Sequence, residues 1–310
     1  MALGPERAAR LGAALDRFQR GYDAGRRLPF DPLEFPRRYP DPGDAEVAGL
    51  VAACLAYGRA DLFRPQIAGA LAAMGPSPAR FAARFARAPD PAVFSAFRYR
   101  FNRPPDLAAL VAAAGAVRAA HGSLGGRFAA LLAEERGGPE PLRAALTRFA
   151  RELRQAPPVA PLLAGRGDRG FRHLLPDPAL PGPCKRWNLY LRWMVRGPDG
   201  VDLGLWAGVP AAALLVPLDT HLARIARYLG LTDRSDLSWR TAAEITASLR
   251  AVDPGDPVRF DFALCHLGMS GACPPRRDPA RCAPCALREH CRARARGPRG
   301  AQRRGGGGST

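Results

Sequence analysis

The sequence predicts an all-α protein. Apolar residues return at three- and four-residue intervals through most of the chain, the spacing of helices that bury one face. Glycine and proline close these segments at helical lengths, and no clear run of period-two alternation marks a strand.

The first predicted helix covers residues 5–23, with Leu11, Leu15 and Phe18 at helical spacing. A Pro/Asp-rich connector from 31 to 44 contains Phe35-Pro36-Arg37-Arg38-Tyr39-Pro40, where ring-locked prolines oppose a continuous helix. The next helix runs over 45–57, and its stripe of Val47, Leu50, Val51, Cys54 and Leu55 is broad enough to be buried. Gly58-Arg59-Ala60 breaks it, and another helix covers 61–74. Helices are expected over 78–87, 105–120, 124–135 and 139–154, each closed by Gly or Pro. From Phe171 to Pro183 the chain becomes proline-rich. Helices resume over 184–196, 219–229, 238–250 and 256–269. This divides the chain into a helical core over 1–270, a cysteine loop over 271–292 and an Arg/Gly-rich tail over 293–310, too polar to pack a core.

The chain has 310 residues, a formal charge of +18 and 47% hydrophobic residues, the balance of a globular protein. The segment from Arg292 onward supplies six of those charges, so the folded body is itself basic. Such a surplus attracts polyanions, nucleic acid above all. The first residues lack the apolar core of a secretory signal and no long apolar run appears. A soluble cytoplasmic protein, not a membrane protein, is expected.

Lys185 is the only lysine, against 45 arginines. Guanidinium stays protonated, whereas an ε-amine can lose its proton and attack an electrophilic carbon. Gly182-Pro183 reads as a helix start with proline at the first position, which sets Lys185 in the first turn. The positive end of the helix dipole is expected to push it toward the neutral, nucleophilic form. Downstream, Asp219 opens a helix in which Leu222, Ile225, Ala226 and Leu229 hold core spacing. It suits an N-cap, and a carboxylate there also stays ionised and can face a developing cation.

Cys273-x8-Cys282-x2-Cys285-x5-Cys291 is the strongest motif by spacing. In a reducing compartment four such thiols read as metal ligands rather than disulfides. Soft thiolates suit an iron–sulfur cluster or tetrahedral zinc, and spacing does not separate the two. Cys54, Cys184 and Cys265 fall in predicted helices and read as packed residues.

The cysteine segment resembles the iron–sulfur loop that closes endonuclease III-like and adenine-mismatch DNA glycosylases, with eight rather than six residues in the first spacer. Pro217-Leu218-Asp219-Thr220-His221-Leu222 resembles the aspartate stretch of the helix-hairpin-helix/Gly-Pro-Asp DNA glycosylases. Leu180 to Arg186 partly echoes that superfamily's hairpin, though its second glycine is missing, and Lys185 stands where bifunctional members place a Schiff-base lysine. The separation of Lys185 from Asp219 is longer than in endonuclease III-like enzymes and looks closer to that of the archaeal 8-oxoguanine glycosylases. Residues 35–268 also look like an uncharacterised bacterial family of conserved hypothetical proteins, through Leu55 to Arg59, Tyr99 to Asn102, Cys184 to Arg196 and Pro217 to His221.

The resemblance implies a two-lobed helix-hairpin-helix glycosylase-like fold with a C-terminal four-cysteine cluster loop. It implies a monomeric, nucleoid-associated DNA N-glycosylase and abasic-site lyase of base excision repair, acting on double-stranded DNA with a damaged base or abasic site. The base would be flipped out of the stack, with an oxidised purine as its class. Lys185 and Asp219 would be catalytic, and Cys273, Cys282, Cys285 and Cys291 would hold a 4Fe-4S cluster, zinc being the alternative. Arg59, Arg100, Arg192, Arg224, Arg276 and Arg277 are candidates for DNA contacts, and Tyr57, His173 and Trp187 for the base pocket. Two rivals stand beside this: a non-catalytic helix-hairpin-helix lesion-binding protein, and a zinc-stabilised RNA-associated protein.

Overall fold

In the computed structural model, which describes residues 3–293, helices pack directly on helices. In order they are α1 (Pro5–Arg20), α2 (Pro42–Leu55), α3 (Ala60–Met74), α4 (Pro78–Phe85), α5 (Pro104–His121), α6 (Leu124–Glu134), α7 (Pro141–Gln155), α8 (Val159–Leu163), α9 (Arg169–Leu174), α10 (Lys185–Val195), α11 (Thr220–Leu229), α12 (Trp239–Arg250), α13 (Asp261–Met269) and α14 (Pro279–Cys282). Among the described residues there is no strand, only an isolated bridge between Tyr99 and Asn102. The protein is all-α. Apart from Ala293, the Arg/Gly tail expected over 293–310 lies outside the described residues.

Local chemistry explains where the boundaries depart from expectation. Asp41 caps α2 by accepting from the Asp44 N–H at 2.9 Å, so that helix starts at Pro42, inside the expected connector. The rest of the connector holds 3-10 turns at Pro32–Glu34 and Pro36–Arg38, and another at Leu28–Phe30 precedes it. α8 and α9 were not anticipated. At five and six residues they are too short for an apolar period to show. The helix at 256–269 is also shorter than expected, beginning at Asp261.

α2 is buried from Asp44 to Leu55, and α5 from Asp106 to Gly115. Their alanine-rich sequences are apolar all round, and such helices belong inside a core. A Cβ at Gly49 would lie 2.6 Å from Met194 Cε, so glycine is what lets α10 close on α2. The Tyr190 hydroxyl donates to Glu46 O at 3.0 Å across the same contact. The buried Glu46 carboxylate accepts from the Leu124 and Gly125 N–H groups at 3.0 and 2.7 Å, capping α6. At Gly268 a Cβ would stand 2.8 Å from His221 Cβ, so α13 approaches α11 equally closely. The first contact packs α10 on α2, and the second sets the start of α11 against the face of α13. No single helix among the described residues is long and apolar enough to cross a membrane.

Candidate active site

The starts of α10 and α11 open on one cavity of about 440 Å³, within the range of small-molecule sites. Cys184, the residue before α10, adopts left-handed backbone with φ +47°. Helical geometry therefore begins at Lys185 itself, and Pro183 lies outside the helix. Asp219 is the N-cap of α11: its Oδ1 accepts from the His221 and Leu222 N–H groups, both at 2.9 Å. Its other oxygen meets the only lysine, with Lys185 Nζ 2.9 Å from Asp219 Oδ2. The Lys185 side chain is 35% exposed and that of Asp219 14%. The amine is reachable from the cavity while its partner is held still.

This pairing reverses the expectation for Lys185. Burial does disfavour its ammonium, but the carboxylate of Asp219, aided by Cys265 and Asp261, outweighs burial and raises the Lys185 pKa. A full charge at contact distance exceeds the partial charge of a helix end. Asp219 responds in the opposite sense. Burial would raise it, but Lys185 and the backbone donors of α11 hold it below the usual carboxylate range.

The cavity brings in groups that sequence reasoning missed. Cys265 Sγ lies 3.6 Å from Asp219 Oδ2; this residue reads from sequence as packing, and only the close passage of α13 past α11 reveals it. Burial, then Asp219, raises its thiol well above the ordinary value. Asp31 contacts His266 Nε2 at 3.0 Å, and both line the cavity with Asp261 and Phe262. Arg186 also lines it, donating to Cys54 O at 2.9 Å with its guanidinium 5.3 Å from the Tyr57 ring centre. Asp261 and Cys265 sit four apart, a helix-face spacing that could have flagged them.

The three expected pocket aromatics divide. Tyr57 lines the cavity. His173 stands behind it, edge-on at 4.5 Å between ring centres; burial, with Arg186 and Arg100, pushes its imidazole down to about 4, so it is neutral. Trp187 is core. It is 2% exposed, packs on Phe149 and donates to Pro176 O at 2.8 Å. Two residues along α10, about 200° around its axis, separate it from the Lys185 face.

The six expected DNA-contacting arginines divide as well. Arg192 is 2% exposed and bonded to Asp202 and Asp261, so it is a buried ion-pair centre and not a phosphate ligand. Arg224 donates to Gly268 O and Cys273 O at 3.3 and 3.0 Å, tying α11 to the cysteine segment. Arg59 pairs with Asp61 at 2.7 Å on the surface, a contact readily exchanged for another anion. Arg100 and Arg276 are exposed. Arg277 borders the cysteine cavity.

Beside the main cavity stands the turn Tyr99 to Asn102, one of the segments that carry the family resemblance. Arg100 has left-handed backbone, φ +54°, and Phe101 at its tip is 45% exposed. The turn is pinned on both sides: Asn102 Nδ2 donates to Gly170 O at 2.8 Å, and the Tyr57 hydroxyl donates to Asn102 Oδ1. Phe101 also meets His173 edge-on at 4.6 Å. Next to it a cavity of about 280 Å³ is bordered by Arg103, Arg166 and Arg169. A cationic hollow with a rigidly held aromatic ring suits a nucleic-acid strand.

Cys273, Cys282, Cys285 and Cys291 all border one cavity of about 350 Å³, with Arg277 and Arg281 at its edge. Among the described residues no three His, Cys, Asp or Glu side chains converge on a single metal-ion position. The thiols share a hollow without meeting at a point.

Fold and site together define an all-helical protein with a lysine–carboxylate pair at the edge of a cavity. The chain belongs to the family described as protein of unknown function DUF2400, whose pattern matches residues 31–270. No curated protein and no solved structure matches it.

Proposed function

We propose that this protein is a DNA N-glycosylase with abasic-site lyase activity, acting in base excision repair on a damaged base extruded from double-stranded DNA. The observation that carries the reading is the contact of the only lysine with a helix-capping aspartate at 2.9 Å, at the edge of a cavity. A reachable amine beside a fixed carboxylate is the equipment for displacing a leaving group from a sugar carbon that gathers positive charge. Lys185, once deprotonated, attacks C1′ and takes over the bond that the base gives up. Asp219, held ionised, faces the cationic sugar. Collapse to the imine then permits strand cleavage beside the abasic site. Tyr57 supplies an aromatic wall, and the Phe101 turn with Arg103, Arg166 and Arg169 supplies a place for the duplex outside.

The helical body and the order of lysine, aspartate and cysteine segment agree with the two-lobed helix-hairpin-helix glycosylase fold that the sequence resembles. The four thiols fit an iron–sulfur cluster. All four border one cavity, and they are the soft donors such a cluster takes. Bound there, the cluster would brace the loop that carries Arg276 and Arg277, two cations a phosphate could meet. An oxidised purine is the base class favoured by resemblance, and a monomer in the cytoplasm, on the nucleoid, is the corresponding setting. The test is a panel of lesion-bearing duplexes scored separately for base release and strand scission. Release of at least one damaged base, absent with the undamaged duplex, is expected. A protein that binds every lesion duplex and releases no base is a lesion-binding protein instead.

A further inference from the structure

A line of hollows leads away from the Phe101 turn, and arginines border each of them. The first is the cavity of about 280 Å³ at Arg103, Arg166 and Arg169. Leu163 of α8 is a wall shared with a second, of about 390 Å³, bordered by Arg154. Arg151 and Gln155 of α7 border both the second and a third, of about 420 Å³, which reaches Arg148. Shared walls make the three one continuous groove over α7, α8 and α9. Its inner end adjoins the candidate active site, because Phe101 packs on His173, and His173 on Tyr57 of the main cavity.

The charge left over along this groove has one sign. The carboxylates that border it are already engaged: Asp106 accepts from the Arg103 N–H at 2.8 Å, Asp168 from Arg172 at 2.5 Å, and Glu152 from Arg127 at 2.8 Å. Arg148 and Arg154 are likewise paired, with Glu134 and Asp177. Arg151, Arg166 and Arg169 are exposed and meet no carboxylate among the described residues. Free cations strung along a groove fit a polymer whose negative charges repeat along a line. Stacking decides which form of nucleic acid that is. An unpaired strand gains affinity by laying its bases on aromatic rings. Beyond Phe101 the one aromatic side chain bordering the groove, among the described residues, is Phe171, only 2% exposed. The outer groove offers charge without a stacking surface, which suits a duplex held through its backbone.

Resting on the glycosylase reading, which sets the extruded base at Lys185, we infer that this groove is a track for the intact duplex on one side of the lesion. Arg166 and Arg169 meet phosphates near the lesion, and Arg151 meets phosphates farther out. Hollows of these volumes set end to end cover about 20 Å, or roughly six steps of duplex at ~3.4 Å each. Contacts to the backbone alone carry no direct sequence information, so the track serves a damaged base in any sequence context.

The test titrates wild type, Arg151→Ala and Arg166→Ala with a fluorescent duplex carrying one tetrahydrofuran abasic analogue at its centre, which holds no base to release. Both side chains are exposed, and thermal unfolding matched to wild type checks that the variants fold. Duplexes are then shortened pair by pair from one end or the other. On the full duplex each substitution should weaken binding several-fold and lower the slope of log affinity against log salt by about 1. Trimming from one end should abolish the Arg151→Ala deficit first and the Arg166→Ala deficit only later, while trimming from the other end leaves both. Wild-type affinity in Arg151→Ala, a deficit that ignores flank length at both ends, or an equal deficit on the unpaired lesion strand would each overturn the inference. Base release from lesion duplexes is scored separately. A wild type that releases no base yet shows the trimming pattern loses the glycosylase reading and keeps the track. A wild type that excises while Arg151→Ala binds normally keeps that reading and loses the track.

Discussion

Lys185 and Asp219, 34 positions apart, meet at the N-termini of two helices with Nζ 2.9 Å from Oδ2. An ammonium at the positive end of α10 is locally unfavourable; the carboxylate capping α11 compensates for it. One ion pair thus ties two helices together and leaves an amine at the edge of a cavity.

Asp219→Asn separates the two tasks of that residue. Asparagine caps a helix about as well as aspartate, so the cap survives and Tm is expected to fall only by what the lost charge opposite Lys185 contributes. Base excision should fall by about 10²- to 10³-fold, the cost of losing a fixed charge opposite a developing one. Excision assays beside DNA titrations check this, with binding retained. Equal activity would leave Asp219 as a cap alone.

The ion pair also sets how stability responds to pH. Lys185 has a raised pKa, so its contribution is fully present below the unfolded lysine value and is lost as pH rises through the folded one. Asp219 is depressed, so its contribution is present above the unfolded carboxylate value and is lost as pH falls through the folded one. Urea unfolding of wild type and Lys185→Met should therefore differ most between those limits and converge at both ends. Because the amine is the reactive form, the trapping rate on abasic DNA should climb with pH on the alkaline side.

Phe101 and its neighbouring arginines make a different prediction. Phe101→Ala is expected to weaken binding to lesion duplex by about tenfold, one stacking contact's worth, while leaving the salt dependence of binding alone. Arg166→Ala combined with Arg169→Ala should lower the slope of log affinity against log salt by about 2. Fluorescence titrations at several salt concentrations measure both. Unchanged affinity and slope would move the duplex off this face.

The four thiols are checked by composition. The purified protein is expected to be brown and to contain iron and acid-labile sulfide in equal amounts, lost in Cys282→Ala and Cys285→Ala variants. A colourless protein holding one zinc would assign the loop to zinc instead.

Long periodic segments were the legible part of the fold. α2 and α5 announce themselves through apolar runs, whereas α8 and α9 are too short to show a period. Lys185 and Asp219 were legible through chemistry, as the only lysine and a capping carboxylate. What sequence could not supply was rotation and proximity. Trp187 and Arg192 lie within two turns of Lys185 on α10, and only packing shows that Trp187 turns into the core and Arg192 toward Asp202 and Asp261. Cys265 and Asp261 were missed for a related reason: they reach the site only because Gly268 lets α13 pass close to α11. The dipole argument for Lys185 failed on sign, since it weighed a helix end without the carboxylate that stands 2.9 Å away.

The most direct measurement is borohydride trapping on a duplex containing one abasic site, followed by mass spectrometry of the adduct. With a single lysine in the chain, the expected result is one covalent complex mapped to Lys185 and lost in Lys185→Ala. No complex with wild type, or a complex equally abundant in Lys185→Ala, would contradict the assignment of Lys185 as the nucleophile.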